Sequence, residues 1–446
     1  MASQTRLFLA SITKAILLVS ALQCSAQALY AEPLIETEDD WADDEWGEDD
    51  SNLSLNHRLE TGFGSFIHNN AYVEGSNSLA EIRYRLDMAN YWGEILGSLK
   101  ADLTADDVDN ETRISLRETL VALPVSESMD LRVGRQILTW GTGDLLFLND
   151  LFPKDWVAFF SGRPMEYLKA PSDAIKLSVF SKTANFDIVW IPVFNSDEYL
   201  TGQRFSFYNP LNGNLYGAPP ALQGQKPDKR FENGELAVRV YKTVDSLELA
   251  LYGYRGFTKQ PTAFDSELMH PTFSRQQVMG ASLLTPLYGG LFNAEFAWHY
   301  SLDDKDGKNP FIPNSQDRYL LGYEKEVISK LTASTQIYIE ATRDYTPLIN
   351  NSFNSKKEVE EIRSLTTIRL SYRALQDKLM LSLFGYYSPS DKDHYWLPKA
   401  NYRFNDQFAL ELGANFFEGE ERHTFFGQLE DNSNIYARLR YDFSMK

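Results

Sequence analysis

From residue 51 onward the chain is a series of short segments in which apolar and polar side chains alternate, and this constrains the fold more than any other feature. Leu53, Leu55, Leu59 and Phe63 alternate with Ser54, Asn56, Arg58, Glu60 and Gly62, and Ile82, Tyr84 and Leu86 alternate with Arg83 and Arg85. A period of two belongs to a strand with unlike faces. Similar segments recur near 94–104, 112–123, 129–141, 173–182, 185–194, 235–243, 246–257, 276–285, 290–301, 318–326, 331–342, 362–373, 378–388, 394–404, 408–418 and 433–443, about eighteen strands in all. At about 22 residues for each strand and its connection, residues 51–446 leave no room for a second domain.

The connections decide the architecture. Linkers near 67–77, 105–111, 142–172, 195–234, 258–275, 302–317, 343–361, 389–393 and 419–432 are long, and tight turns such as Asn90-Tyr91-Trp92 and Asn405-Asp406-Gln407 lie between them. Long loops at one end, short turns at the other and an even strand count predict an all-β fold, a transmembrane antiparallel barrel of about 18 strands. A soluble sandwich gives no reason for that alternation. Trp92, Trp140, Trp298, Tyr300, Tyr386, Tyr387, Tyr395, Trp396, Tyr402 and Phe404 fall at predicted strand ends, where amphipathic rings suit the headgroup level. The lipid and lipopolysaccharide of an outer membrane are then the expected surroundings.

The first 28 residues read as a secretory signal: Arg6 and Lys14 precede an apolar stretch, and Ala26-Gln27-Ala28 offers small residues for cleavage. The only cysteine, Cys24, lies inside it, so the mature chain is expected to lack disulfides and thiolate ligands. Residues 29–50 form an acidic tail, read as periplasmic, with eleven acids and no Lys or Arg between Glu32 and Asp50. Such a run repels itself and stays solvated. The net charge of −19 also argues against nucleic acid as a partner.

One segment is more specific. Leu131-Arg132-Val133-Gly134-Arg135-Gln136-Ile137-Leu138-Thr139-Trp140-Gly141 resembles the Arg-x-Gly-Arg-Gln-x-Leu-x-x-Gly strand of the alginate-export family of large outer-membrane barrels and related porin-like proteins. The resemblance covers about eleven residues. It implies an eighteen-stranded barrel passing an anionic polysaccharide or small solutes. The same stretch poses a structural question, because Leu131 and Val133 set an outward parity on which Arg135 meets lipid at a cost of ~2–4 kcal/mol near the midplane. A bulge at Gly134 would instead turn Arg135 inward and leave Leu138 and Trp140 facing out.

The inner face carries the charges. Parity places Arg58, Arg83, Arg85, Lys100, Arg113, Arg117, Arg132, Arg438 and Arg440 inside on the first five strands and the last. Glu248, Glu295, Glu324 and Glu340 face inward from the opposite side. A basic wall opposite an acidic one would set a transverse field favouring polar or zwitterionic solutes over apolar ones. The plainer alternative is that these groups pair with one another. The loop 142–172 is too apolar to lie open to water and is expected to fold inward as a constriction or plug, through Asp144, Phe147, Asp150, Phe152, Asp155, Trp156, Phe159 and Phe160. The alternative is an outward cap on the barrel or a protein contact. The loop 195–234, rich in Asn, Gly, Pro and Tyr, reads as a surface lid.

No catalytic constellation stands out: the six histidines are scattered, and neither a phosphate loop nor a nucleophile elbow occurs. Asp106-Asp107-Val108-Asp109 and Asp304-Lys305-Asp306-Gly307 have oxygens at calcium-like spacing, which acidic loops also produce by chance, so no metal or cofactor is assigned. The expected protein is a non-enzymatic, porin-like channel in the cell outer membrane, passing small polar or charged solutes or saccharides passively or through a loop gate. The alternative is a scaffold that docks a periplasmic export or envelope complex through its acidic tail. Topology gives the first test. An epitope inserted between Gly224 and Asn233 should be labelled on intact cells and one at Gln376 should not; the reverse pattern would invert the assigned orientation.

Overall fold

The computed structural model describes residues 53–444, apart from 211 and 218–220, so the signal and acidic-tail segments lie outside the described residues. Eighteen antiparallel strands form the wall: β1 (Leu53–Phe66), β2 (Asn77–Trp92), β3 (Ile95–Asp106), β4 (Glu111–Ser126), β5 (Met129–Gln136), β6 (Ser172–Val179), β7 (Asn185–Ile191), β8 (Glu235–Val244) and β9 (Leu247–Phe257) make one half. The other half is β10 (Arg275–Leu287), β11 (Gly290–Ser301), β12 (Gln316–Ile328), β13 (Leu331–Thr342), β14 (Ile362–Ala374), β15 (Leu379–Ser388), β16 (Asp393–Arg403), β17 (Phe408–Gly419) and β18 (Asn434–Ser444). Each strand pairs with its neighbours in sequence, and β18 returns to β1, from Phe66 opposite Asn434 to Asn56 opposite Ser444. Closure leaves no edge of unpaired N–H and C=O groups, which a hydrocarbon environment would not tolerate.

Long loops and short turns alternate as the sequence indicates, although the connections 107–110 and 389–392 shorten to tight turns because their flanking strands run on. The opposite end is closed by turns such as Tyr288-Gly289, both with positive φ (48° and 75°), the backbone a two-residue hairpin requires. Two of the long loops carry small hairpins, Phe207–Asn209 with Asn214–Tyr216 and Ala263–Asp265 with His270–Thr272.

Alternation sorts the faces. On β10, Val278 is 1% exposed and its neighbour Met279 is 48% exposed. Leu59, Phe63, Ile114, Leu251, Leu321, Ile337 and Leu439 are likewise open on the outer face. One bulge alters the sorting. Lys100 lies opposite Glu118 and Ala101 opposite Leu116, so Arg117 is an extra residue on β4 and turns into the interior.

At Gly134 the register runs on without a shift, which rejects the bulge that would have turned Arg135 inward. Gly134 takes φ 130°, and a Cβ there would stand 2.2 Å from the Thr119 carbonyl oxygen, so close strand contact excludes any side chain. Arg135 keeps its outward parity and is compensated by Asp173 of β6, through Nε (2.8 Å) and Nη2 (2.9 Å). Such a two-pronged pair neutralises the guanidinium on the outer face. Leu138 and Trp140 lie beyond the end of β5 and are buried in the interior rather than facing out. Tyr386 and Tyr395 are buried there too, so these aromatics do not belong to an outer girdle, whereas Trp92, Tyr387 and Phe404 are exposed near strand ends.

The face assignment makes a quantitative prediction. Leu251 is 62% exposed midway along β9, and Leu251→Arg should lower the unfolding free energy in lipid vesicles by ~2–4 kcal/mol. The same charge at Tyr288, in an exposed turn, should cost about 0–1 kcal/mol.

Candidate functional site

After β5 the chain crosses the interior, fastened in three places. The first is Glu295 of β11. Its carboxylate accepts the backbone N–H groups of Thr142 and Gly143 (the latter at 2.7 Å), the Thr142 hydroxyl (3.0 Å) and Asn149 Nδ2 (2.7 Å). Gly141 makes the close approach possible, at φ 87° with its missing Cβ 3.0 Å from Glu295 Oε1. Next to it, the amide of Asp144 donates to Gln336 on β13, and the carboxylate of Asp144 meets Arg369 of β14 at 2.6 Å. Tyr386 of β15 donates to the carbonyl of Leu145 (3.0 Å).

The second fastening is apolar. Helix α1 (Trp156–Ser161) starts at Asp155, whose side chain accepts the Ala158 amide at 2.7 Å. Phe159 and Phe160 pack edge-on to Tyr395 of β16, and Phe160 also to Phe417 of β17. Leu148 and Phe152 join the same cluster, which continues into wall residues Val189, Val278, Leu320 and Leu397. Phe147 stands edge-on to Trp156, and Asp150 forms a buried ion pair with Lys154 (3.0 Å). Asn415 and Asn434 donate to the Phe160 carbonyl (3.0 and 3.1 Å), satisfying a group that would otherwise be buried unpaired.

The third is electrostatic, on the arc from β18 through β4. Arg163 binds Glu81 of β2 (2.7 Å) and Asp106 of β3 (2.8 Å). The Glu166 carboxylate receives Arg58 (2.9 Å) and Arg85 (2.6 Å), and Arg117 donates to the carbonyls of Glu166 (2.8 Å) and Lys169 (3.0 Å). The Tyr167 ring faces three guanidiniums, those of Arg83, Arg117 and Arg85, at 3.9, 4.4 and 4.8 Å from its centroid. Strands β2 and β11 are nine apart in a ring of eighteen, so Glu295 and Arg85 hold the loop from opposite walls.

The two walls of the sequence reading are therefore interleaved with countercharges. Arg83 meets Glu81 (2.9 Å), Arg85 meets Asp102 (2.9 Å), Arg58 meets Asp442 (2.6 Å), Arg438 meets Glu411 (2.7 Å) and Glu60 (3.5 Å), and Arg440 meets Asp442 (3.0 Å). Lys100 stands opposite Asp87 in the register, and Arg113 and Arg132 are exposed on the inner parity. On the facing side Glu340 takes Tyr338 (2.6 Å) and Arg318 (3.4 Å), and Glu248 takes Arg239 (2.9 Å). Glu324 keeps its inner parity toward the short-turn end and is exposed. Glu81, Asp102, Arg163 and Glu166 are central to these networks although parity arguments about the strands did not single them out. The shared parity of Glu81 with Arg83, and of Asp102 with Lys100, was the available signal.

The loop 195–234 also reaches inward. Arg204 binds Asp106, Asp109 (2.6 Å) and the Ser78 carbonyl (3.0 Å), so the calcium-like string Asp106–Asp109 holds guanidiniums. Asp197 accepts the Lys154 amide and Trp156 Nε1, both at 2.8 Å, which ties the two loops together.

No protein family and no curated protein matches the sequence. Solved structures do. The chain is similar to Pseudomonas aeruginosa OccK2 (OpdF), solved in complex with glucuronate, at 10% identity and TM-score 0.53, covering 89% of this chain and 99% of that one. It is similar also to P. aeruginosa OccK5 (OpdH), at 12% identity and TM-score 0.50 over 88% and 98% of the two chains. P. aeruginosa OccD3 (OpdP) aligns at 10% identity and TM-score 0.50 over 88% and 92%. The chain has the fold of outer-membrane porins.

Burial raises the Glu166 carboxyl, but Arg85 and Arg58 outweigh that effect and hold it at about 2. Because this lies below the ordinary value of ~4.3, the contact stabilises the docked loop above that pH and loses its effect as pH falls through about 2. Limited proteolysis of the folded barrel should therefore find the segment 163–169 protected at pH 4 and cut only as the pH approaches 2. Release between pH 5 and 4 would contradict this assignment.

Proposed function

We propose that the protein is an outer-membrane, porin-like channel for small polar or charged solutes, and that the loop between β5 and β6 narrows its lumen. One observation carries the reading. Within a closed wall, a single loop crosses from Glu295 to the Arg58, Arg85 and Arg117 cluster and fills the space between with aromatic and aliphatic side chains. A wall of eighteen strands encloses an aqueous passage unless something occupies it. An inward loop of mixed charge leaves selection to the groups beside it. Guanidiniums gathered around a carboxylate favour anionic solutes, carboxylates among them. Glucuronate bound to OccK2 is a solute of that class in a barrel of similar fold.

Kinship with the alginate-export family is the narrower form of this proposal and rests on Leu131–Gly141 alone. In that segment Arg132 faces the interior and Arg135 the outer wall, so Arg132 is the residue of the motif placed to meet a solute. A channel role needs no catalytic group, and the interior contacts described above hold loops in place or pair charges along the wall.

The test is conductance in planar bilayers. Deleting Phe147 to Phe160 removes side chains from the lumen while leaving the hydrogen-bonded wall intact, so the folded, heat-modifiable variant should pass clearly larger single-channel currents than the parent. Equal currents would mean that the loop does not set the passage.

A further inference from the structure

We propose that Glu166, with the neighbouring Tyr167 ring, is a built-in occupant of an anion site on the β1–β4 wall, and that a ring-bearing carboxylate solute opens the passage by displacing it. The inference rests on the channel reading above and adds how the resting loop is released.

The contacts are those a ligand would make. One carboxylate takes two guanidiniums, Arg58 at 2.9 Å and Arg85 at 2.6 Å. The ring beside it lies against Arg83, Arg117 and Arg85. Arg117 completes the cradle through the two carbonyls it donates to. If the loop leaves, Arg117 loses these two acceptors, Arg58 and Arg85 each lose a carboxylate, and three guanidiniums lose an aromatic face. Uncompensated charge inside a barrel is costly, so departure without a replacement is disfavoured. A carboxylate on a hydroxylated ring replaces the carboxylate that Arg58 and Arg85 lose, and its ring oxygens can accept from Arg117 in place of the two carbonyls, so the exchange restores the charge-assisted contacts though not the aromatic face.

Access distinguishes this contact from the rest of the loop. The Glu166 side chain is 39% exposed, so a solute can reach it while the loop is docked, whereas Arg85 beneath it is 2% exposed. By contrast Arg163, Glu81 and Asp106 are sealed together and offer no such entry. A solute shifts the loop only as far as it prefers the vacated site to the occupied one. An uncharged solute of the same size should therefore leave the loop docked.

The experiment uses the whole chain in liposomes, in a Cys24→Ser background with Leu168→Cys as reporter, since Leu168 lies two residues from Glu166 and is 2% exposed in the docked loop. Maleimide labelling is timed in sodium glucuronate, in glucose, and in sodium chloride at equal ionic strength, and solute uptake is measured in parallel by liposome swelling. Glucuronate should speed labelling severalfold, and glucose and chloride should not. Glu166→Gln should label fast without any solute. The comparison of solutes on the parent needs no variant at the site. Uptake of glucuronate with unchanged labelling would overturn the displacement while leaving the channel reading intact. A folded Glu166→Gln barrel labelled as slowly as the parent would also overturn it. Absence of uptake for both glucuronate and glucose would sink the channel reading, and the displacement with it.

Discussion

A closed wall of eighteen strands surrounds more space than its own side chains can fill, and each charge that becomes buried on the inner face must find a partner within that space. Small barrels meet the condition with wall residues alone, but a barrel of this girth does not. Here the missing material is supplied by loops. The connection after β5 brings an apolar core, centred on Leu148, Phe152, Phe159 and Phe160, and beyond it a charged segment from Arg163 to Lys169. The wall presents aromatics to the first, at Tyr386, Tyr395 and Phe417, and guanidiniums to the second.

The two attachments differ in kind. Apolar burial holds without regard to direction and scales with the area removed from water, so the α1 end of the loop is anchored broadly. Buried ion pairs gain little net stability, because dehydration offsets their attraction, but breaking one member is expensive. Their effect is to fix position: Arg163 fits between Glu81 and Asp106, and Glu166 between Arg58 and Arg85, in one register of the loop. A segment held by exchangeable charges on one side and by an apolar core on the other can yield at the charged side first. That asymmetry is what a solute-responsive constriction needs.

Much of the wall was legible because period two leaves a strong record wherever one face meets lipid and the other does not. The record became misleading where the environment changed without a change of pattern. Leu138 and Trp140 share the inner parity of Arg132, and only the bulge expected at Gly134 would have turned them outward; without it they lie past the last residue of β5 and in the core. Trp140, Tyr386 and Tyr395 look like girdle aromatics because they stand near strand ends, and only packing reveals that the loop covers them. Arg135 kept the parity that the neighbouring Leu131 and Val133 set; its compensation comes from Asp173, which is separated from it by the whole inward loop. The apolar content of residues 142–172 marked the loop as unfit for open water, but its partners lie far off in sequence. Glu166 and Arg58 are 108 residues apart, and Asp144 and Arg369 are 225 apart. Countercharges that meet only after closure leave no local trace.

The central claim is that the loop after β5 is docked between opposite walls at rest. Hydrogen exchange tests it most directly, on the unmodified protein and without reference to any solute. Buried amides exchange slowly when their partners hold them. The amides of Thr142 and Gly143 are bonded to Glu295, that of Asp144 to Gln336, and that of Ala158 to Asp155. Peptides covering 142–161 should therefore exchange nearly as slowly as the wall strands, and far more slowly than the segment 224–233. Exchange of 142–161 as fast as that of 224–233, in a barrel whose strands remain protected, would contradict the account.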